Sequence, residues 1–406
     1  MTFLFLLTCM AVGDLLWCVS AIRLPRRWMR WTLGTFGALQ ATGLTLILFS
    51  RGGAGFEEMM PRPLHSMILA WHVVILLPWL AWRIVRAVAA MIGKIARLVR
   101  RVCVARDEWH AAPVMTNAEP AVTRREFLGA AAALTPPMLT LAAAGIGEAQ
   151  LDGFRIRRIE VPVPDLPPAL EGMSIAHVSD FHVGRFTRGR VLERIVEETN
   201  RLDADVIALT GDFINHSLRD LPVALDIVRS LRARHIVAAC EGNHDLIEDA
   251  RIFRREAERG GMPLLRGESA TADIRGQRVQ LLGLPWNHSV AGMRDSAAAL
   301  LAQRDPGAWP MLLAHHPHAW DFAESIPLTL SGHTHGGQLM LTGRLGAGSL
   351  LYRYWSGLYS RRSGALVVSN GVGNWFPVRI QAPAEILHLT LRRAASDGGA
   401  KNIPAV

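Results

Sequence analysis

Five short stretches place Asp, Asn or His directly after an apolar run. They are Val178-Ser179-Asp180-Phe181-His182, Leu209-Thr210-Gly211-Asp212, Gly242-Asn243-His244-Asp245, Leu312-Leu313-Ala314-His315 and Leu330-Ser331-Gly332-His333-Thr334-His335-Gly336-Gly337-Gln338. Residues i and i+2 of a strand point the same way, so His333 and His335 can converge at a strand end. Flanking glycines let the backbone turn tightly and approach a ligand. Taken alone, His-x-His is as often an ordinary surface pair as a ligand pair; the other four stretches change that. Asp180, His182, Asp212, Asn243, His315, His333 and His335 offer only oxygen and nitrogen donors. They are too many for one tetrahedral ion and suit two divalent ions sharing a carboxylate. The absence of thiolate argues against a structural zinc cage. Two ions roughly 3.5–4 Å apart can hold a bridging hydroxide and clamp a phosphoryl oxygen for in-line attack.

These side chains need elements to position them. From Phe154 onward, short apolar runs alternate with helical stretches. Strands are expected at 174–179, 205–210, 236–240, 311–314 and 328–330, and helices at 190–202 and 221–231. A hairpin is expected to join 271–275 to 278–284 across Gly276. Such alternation points to βαβ units with parallel strands. In open α/β sheets ligands bind at the carboxyl ends of strands, and all five stretches fall there. Beyond the His-x-His the pattern shifts to strands and glycine-rich loops, ending with strands at 366–369 and 386–391. No internal repeat is visible.

The chain from about Leu170 to Leu391 resembles the calcineurin-like metallophosphoesterase superfamily. That family's blocks are Asp-x-His, Gly-Asp, Gly-Asn-His-Asp/Glu, a lone His and Gly-His-x-His, and all five occur here in order. The extended Gly-His-Thr-His-Gly-Gly-Gln, Ser369-Asn370-Gly371-Val372-Gly373 and Ala384-Glu385-Ile386 are similar to the membrane-associated branch. Some members of that branch hydrolyse lipid-linked or sugar-nucleotide phosphodiesters. The resemblance implies an α/β fold, a sandwich of mixed sheets flanked by helices, here preceded by an all-α membrane region. It implies a hydrolase of phosphoric ester bonds with two divalent metal ions, Mn, Fe or Zn. By the same resemblance Asp180, His182 and His335 hold the first ion, Asn243, His315 and His333 the second, and Asp212 bridges them. His244 would stabilise the transition state or protonate the leaving oxygen, with Asp245 orienting it. His315 is preferred to His316 and His318 because it follows the strand directly.

The first third reads differently. Segments 2–22, 32–50 and 64–82 are long and apolar enough to span a membrane. Arginines cluster between the first two and after the third, including Arg23, Arg26, Arg27, Arg30, Arg83, Arg86, Arg97, Arg100 and Arg101. The positive-inside rule puts those loops in the cytoplasm. Residues 107–122 read as a linker. Thr123-Arg124-Arg125-Glu126-Phe127-Leu128 and the alanine-rich run to Ile146 resemble a twin-arginine export signal; the alternative is a fourth span kinked at Pro136-Pro137. Both readings carry the chain beyond Ile146 out of the cytoplasm. The expected organisation is a membrane region with a basic cytoplasmic helix over 1–106, linker and fourth apolar segment over 107–150, a catalytic domain over 151–393 and a disordered tail over 394–406. The expected setting is a bacterial inner membrane, with the catalytic domain on the periplasmic or outer side.

Composition closes off other classes. The net charge of +9 lies largely in the arginines that flank spans, so nucleic acid is not an expected partner. Membrane lipids and a phosphate-ester substrate, with lipid-linked phosphates among the candidates, are. Four cysteines suggest no disulfide framework, and Cys240 reads as a small core residue. Asp14 and His72 interrupt spans; each is read as facing other helices or lying near an interface. With no paired internal charges in the spans, a transporter or sensor reading gains little. A general phosphomonoesterase and a non-catalytic scaffold of the same fold stay as alternatives, although this chain keeps every ligand position. His216, His235, His288 and His388 read as surface or core, and Asn215 as a candidate pocket residue. Arg294, Arg344, Arg353 and Arg379 read individually as solvated. Trp286, Tyr352, Tyr354, Trp355 and Trp375 read equally as core or as an apolar rim facing lipid.

Overall fold

The computed structural model describes residues 2–24, 26–50, 60–103, 124–342 and 345–394. The expected linker at 107–122 and the tail beyond 394 lie outside them. The chain divides into two compact units, Met1–Gly145 and Ile146–Val406.

The first unit is helical. It contains α1 (Thr2–Ile22), α2 (Arg27–Ser50), α3 (Arg62–Leu69), a π-helical stretch (Ala70–Leu76), α4 (Leu77–Cys103) and most of α5 (Arg124–Gln150). Among the described residues three helical segments are long and apolar enough to cross a membrane: Leu4–Ile22, Arg62–Val99 and Phe127–Gln150. Helix α2 covers the second expected span. Helix α5 runs unbroken through Pro136 and Pro137. The Trp17 indole donates to the Leu33 carbonyl at 3.1 Å, and Gly37 leaves room for the Trp17 ring. The two polar interruptions of the spans face each other. Asp14 and His72, 58 residues apart, meet at 2.9 Å, and Trp71 donates to the other Asp14 oxygen at 3.0 Å. The π-helical stretch brings Trp71 and His72 to that point, and all three residues are buried. Such widened turns recur where a helix must place a functional or packing side chain.

The second unit is a sandwich. One sheet has the order β1 (Phe154–Val163), β13 (Ala384–Arg393), β2 (Ser174–Val178), β3 (Val206–Thr210), β4 (Ile236–Cys240). The other has the order β11 (Gly357–Arg361), β12 (Gly364–Val368), β8 (Leu328–Ser331), β7 (Trp309–Leu313), β6 (Gln277–Gly283), β5 (Glu268–Ile274). A small hairpin pairs β9 (Met340–Thr342) with β10 (Leu345–Gly346). Strands β2, β3 and β4 pair in parallel, as do β6, β7, β8 and β12. Alternate residues of both sheets, including Ile175, Val206, Ala238 and Leu389 from one and Leu281, Met311 and Leu330 from the other, share one apolar layer. Period-two alternation sends the remaining strand residues outward. There Ala176, Ile207 and Leu209 meet α6 (Arg190–Arg201), α7 (Leu221–Ser230) and α8 (Ala250–Arg259). Leu282 and Leu312 meet α9 (Val290–Leu301) and the turn at Pro317–Phe322 on the far side. Cys240 lies in the shared layer, as expected for a core residue. This is the mixed-sheet, helix-flanked α/β sandwich read from the sequence.

Candidate metal centre

Strands β2, β3, β4, β7 and β8 stop within one to three residues of Asp180, Asp212, Asn243, His315 and His333. The chain then turns sharply. Asp180, His182, Asp212, His333 and His335 take left-handed φ of 57°, 45°, 55°, 71° and 51°. Such conformations cost of order 1 kcal/mol or more each and persist where the surroundings hold them. Gly242 shows why glycine is required: a Cβ there would collide with the Asp212 carboxylate.

The side chains meet below this backbone. Asp180 Oδ1 lies 3.1 Å from His335 Nε2, and His335 Nε2 lies 2.9 Å from His182 Nε2. Asn243 Oδ1 lies 2.9 Å from His333 Nδ1 and 3.1 Å from His315 Nε2. Asp212 Oδ2 lies between the two groups, 3.5 Å from His182 Nε2 and 3.2 Å from His315 Nε2. All seven expected ligand positions therefore come to one place. His316 and His318 do not join the cluster, and neither do His216, His235, His288 or His388.

Electrostatics fit cations. Burial pushes the rings of His182, His333 and His335 below the ordinary imidazole range. Burial opposes ionisation of Asp180, but the neighbouring His335, His315 and His182 outweigh it and hold the carboxyl low. Burial also opposes charge on His315, and the Asp212 carboxylate overcomes this, carrying it up to about 9. His182 Nε2 and His335 Nε2 lie within hydrogen-bond distance of each other, and each faces a carboxylate. The donor set is hard to borderline, without sulfur, which suits divalent Mn, Fe or Zn. Among the described residues three overlapping groups, Asp180–His182–His335, His182–Asp212–His244 and Asp212–His315–His333, could each hold an ion, an arrangement consistent with a dinuclear divalent-metal site.

Several partners were not expected. His244 sits at the cluster's edge, its ring centroid 4.6 Å from that of His182. Its Nδ1 donates to the Asn215 carbonyl oxygen, so Asn215 contributes its backbone. Asp245 does not orient His244. Its carboxylate accepts from the backbone N–H of Asp212, Phe213, Ile214 and Gly242, at 3.0, 2.7, 3.2 and 2.8 Å. It thereby fixes the Asp212 loop. Burial and then the Asp212 charge push that carboxyl up, against these donors.

Arg379 is not solvated. It is buried, and its five N–H groups meet five acceptors: Asn374 Oδ1, the carbonyls of Asn370, Ala382 and Gly373, and His335 Nδ1 at 3.1 Å. Arg294 and Arg353 are exposed, and Arg344 lies outside the described residues. Trp355 and Tyr354 are core. Trp286 and Tyr352 flank His333 with ring centroids at 5.3 and 5.6 Å, while Trp375, 45% exposed, lies 6.3 Å from His244. The Ser369–Gly373 segment buttresses the site: Val372 and Gly373 N–H donate to the carbonyls of Ser179 and Asp180 at 2.9 and 2.8 Å. Glu385, fully buried, accepts from Arg155 at 3.0 Å and closes that segment from below.

Comparison with known proteins agrees with this geometry. Residues 173–337 match the calcineurin-like phosphoesterase family. A transmembrane protein with a metallophosphoesterase domain from Danio rerio is 30% identical over 258 residues, 58% of this chain and 57% of the relative. An uncharacterized metallophosphoesterase from Helicobacter pylori is 29% identical over 228 residues, 54% of this chain and 60% of the relative. The uncharacterized metallophosphoesterase YkuE of Bacillus subtilis is 28% identical over 284 residues, 67% of this chain and 98% of the relative. The chain thus spans less than two thirds of the length of the first two. It carries a calcineurin-like metallophosphoesterase domain fused to a membrane-spanning region, with a dinuclear site typical of active members. It is an integral membrane protein with a soluble catalytic domain.

Proposed function

We propose that this domain hydrolyses a phosphodiester or pyrophosphate bond of a lipid-linked substrate. The observation that carries the reading is the single Asp212 oxygen set between two buried ligand groups, 3.5 Å from one and 3.2 Å from the other. Asp180, His182 and His335 would hold one divalent ion, Asn243, His315 and His333 the other, and Asp212 both. Ions held so supply charge neutralisation for phosphoryl oxygens and activation of water. The chain's own residues do the rest. His244, whose Nδ1 donates to the Asn215 carbonyl, sits at the cluster's edge and in its imidazolium form could give its Nε2 proton to the leaving oxygen. Asp245 keeps the Asp212 loop from shifting when substrate charge enters. Trp286 and Tyr352 on one side and Trp375 on the other wall the cleft and exclude water.

The lipid-linked reading rests on tethering. A domain joined to spans sees an elevated effective concentration of any substrate in the same membrane. The positive-inside rule supports a cytoplasmic 83–126 segment and a catalytic domain on the other side of a bacterial inner membrane. The test is a turnover panel of the full-length protein in lipid nanodiscs, loaded separately with Mn, Fe and Zn. It compares a lipid-linked pyrophosphate, its water-soluble head-group analogue, bis-p-nitrophenyl phosphate and p-nitrophenyl phosphate. The reading expects higher kcat/KM on the lipid-linked compound than on its analogue, and on diester than on monoester. Preference for the monoester would move the function to a general phosphomonoesterase. No turnover of any compound by metal-loaded protein would leave a scaffold.

A further inference from the structure

We infer that Leu350, Leu351 and Trp375 form an apolar rim that seats the mouth of the metal cleft on the bilayer surface. The rim deepens the lipid-linked reading and rests on it for its purpose, though not for its test.

Leu350 and Leu351 end the short helix α10 (Ala347–Leu351) and are 81% and 74% exposed. Single exposed leucines are ordinary, but two in succession at the mouth of a cleft are not. They are not core residues that slipped outward. The inner face of α10 is already filled, since Gly348 lies against the Trp355 ring and the backbone of Gly337. Ala347 N–H donates to the Leu339 carbonyl at 2.8 Å, so the helix is fixed to the loop that follows His335. The next residue, Tyr352, turns inward and places its hydroxyl 3.4 Å from His333 Nε2. The segment that shows leucine to the outside therefore lines the cleft within a single residue.

Trp375 repeats the arrangement on the opposite wall. Its ring lies 6.3 Å from that of His244 and 6.5 Å from that of His335, yet 45% of the residue is exposed. Its loop also receives the end of α5, whose Phe127–Gln150 stretch is long and apolar enough to span. Asn374 Nδ2 donates to the Leu151 carbonyl at 2.9 Å, and Gly147 packs on the Pro377 carbonyl so closely that a Cβ would collide. Only 151–153 separate α5 from β1, a reach of about 10 Å at full extension. The loop carrying Trp375 is thus the one on which a membrane helix terminates. Tryptophan is the residue that favours the headgroup level. The occupant of the rim is the outer few ångströms of the protein's own bilayer. A substrate phosphate would then reach the metals while its chains stay in lipid.

The test uses full-length protein in nanodiscs of phosphatidylethanolamine and phosphatidylglycerol, with the native cysteines replaced. A spin label at Leu351→Cys, and separately at Trp375→Cys, is probed with oxygen and with a water-soluble nickel chelate. The expected result is greater relaxation by oxygen than by the chelate at both positions, and the reverse at a control label on Glu258→Cys. Greater relaxation by the chelate at Leu351→Cys overturns the proposal. Shielding from both probes assigns the rim to a protein contact, such as a second copy, and also overturns it. In parallel, Leu350→Glu with Leu351→Glu is expected to lower turnover of the lipid-linked pyrophosphate roughly tenfold and leave bis-p-nitrophenyl phosphate turnover unchanged. Lipid contact by both labels without preference for the lipid-linked compound keeps the seat and removes the lipid-substrate reading.

Discussion

His244 and Arg379 both touch the cluster, one beside His182 and the other at His335, and the sequence displayed only the first. His244 was legible because residue type and position coincide: it follows Asn243 within a block after a strand. Its side chain touches no carboxylate of the cluster within hydrogen-bond range; its Nδ1 is taken by Asn215. His244→Ala is expected to retain both metals and lose about 10²–10⁴-fold in kcat, measured beside metal content. Loss of metal in that variant would make His244 a ligand. Arg379 was illegible because its partners come from 335, 370, 373, 374 and 382 only once the last loop closes. It donates to His335 Nδ1, so it orients the ring. Arg379→Lys keeps a charge but loses the fork. We expect metal affinity at the Asp180–His182–His335 group to fall about 10–100-fold while the other group keeps its ion. Titration of the apoprotein with cobalt, followed by its visible spectrum, separates the two steps. Two unchanged steps in a destabilised protein would make Arg379 purely structural.

At the scale of elements, strands ending in polar residues were readable because their apolar runs are short, buried and bounded by turn residues. Those runs match β2, β3, β4, β7 and β8 to within a residue or two. Strand β1 was missed because arginines and glutamate interrupt Phe154–Val163, which pairs on one side only, at the edge beside β13. Helix α8 was missed because it buries little beyond Phe253 and Ala257. Its start is set locally by Asp249, which accepts from the N–H groups of Arg251 and Ile252. The pairing of Asp14 with His72 was equally hidden. It depends on how α1 packs against a π-helical stretch that sequence periodicity does not announce. Asp14→Ala leaves the Trp71 and His72 donors buried without their acceptor. It is expected to destabilise the membrane unit by roughly 1–2 kcal/mol, less for Asp14→Asn, which keeps one oxygen. The check is thermal unfolding of full-length protein in detergent. An unchanged Tm would show that the pair holds nothing together.

At the scale of the whole molecule, the division into a membrane region and a catalytic sandwich was plain from hydropathy, because spans need unbroken apolar length. The arginine-rich loops predict that reporters fused after Arg101 and after Val406 report opposite sides of the membrane. The same side for both would put the catalytic domain in the cytoplasm. The substrate is less legible, since it depends on the cleft walls, where Trp355 proved to be core and Trp375 exposed. Everything proposed for this chain returns to one arrangement, two ligand groups sharing the carboxylate of Asp212. Its most direct test is elemental analysis of purified full-length protein and of Asp212→Ala, each equilibrated with excess metal and freed of unbound ions. The two-metal account predicts about two equivalents per chain in the native protein and loss of most of both in the variant, with hydrolysis lost alongside. One equivalent or none in protein that still hydrolyses phosphodiesters would contradict it.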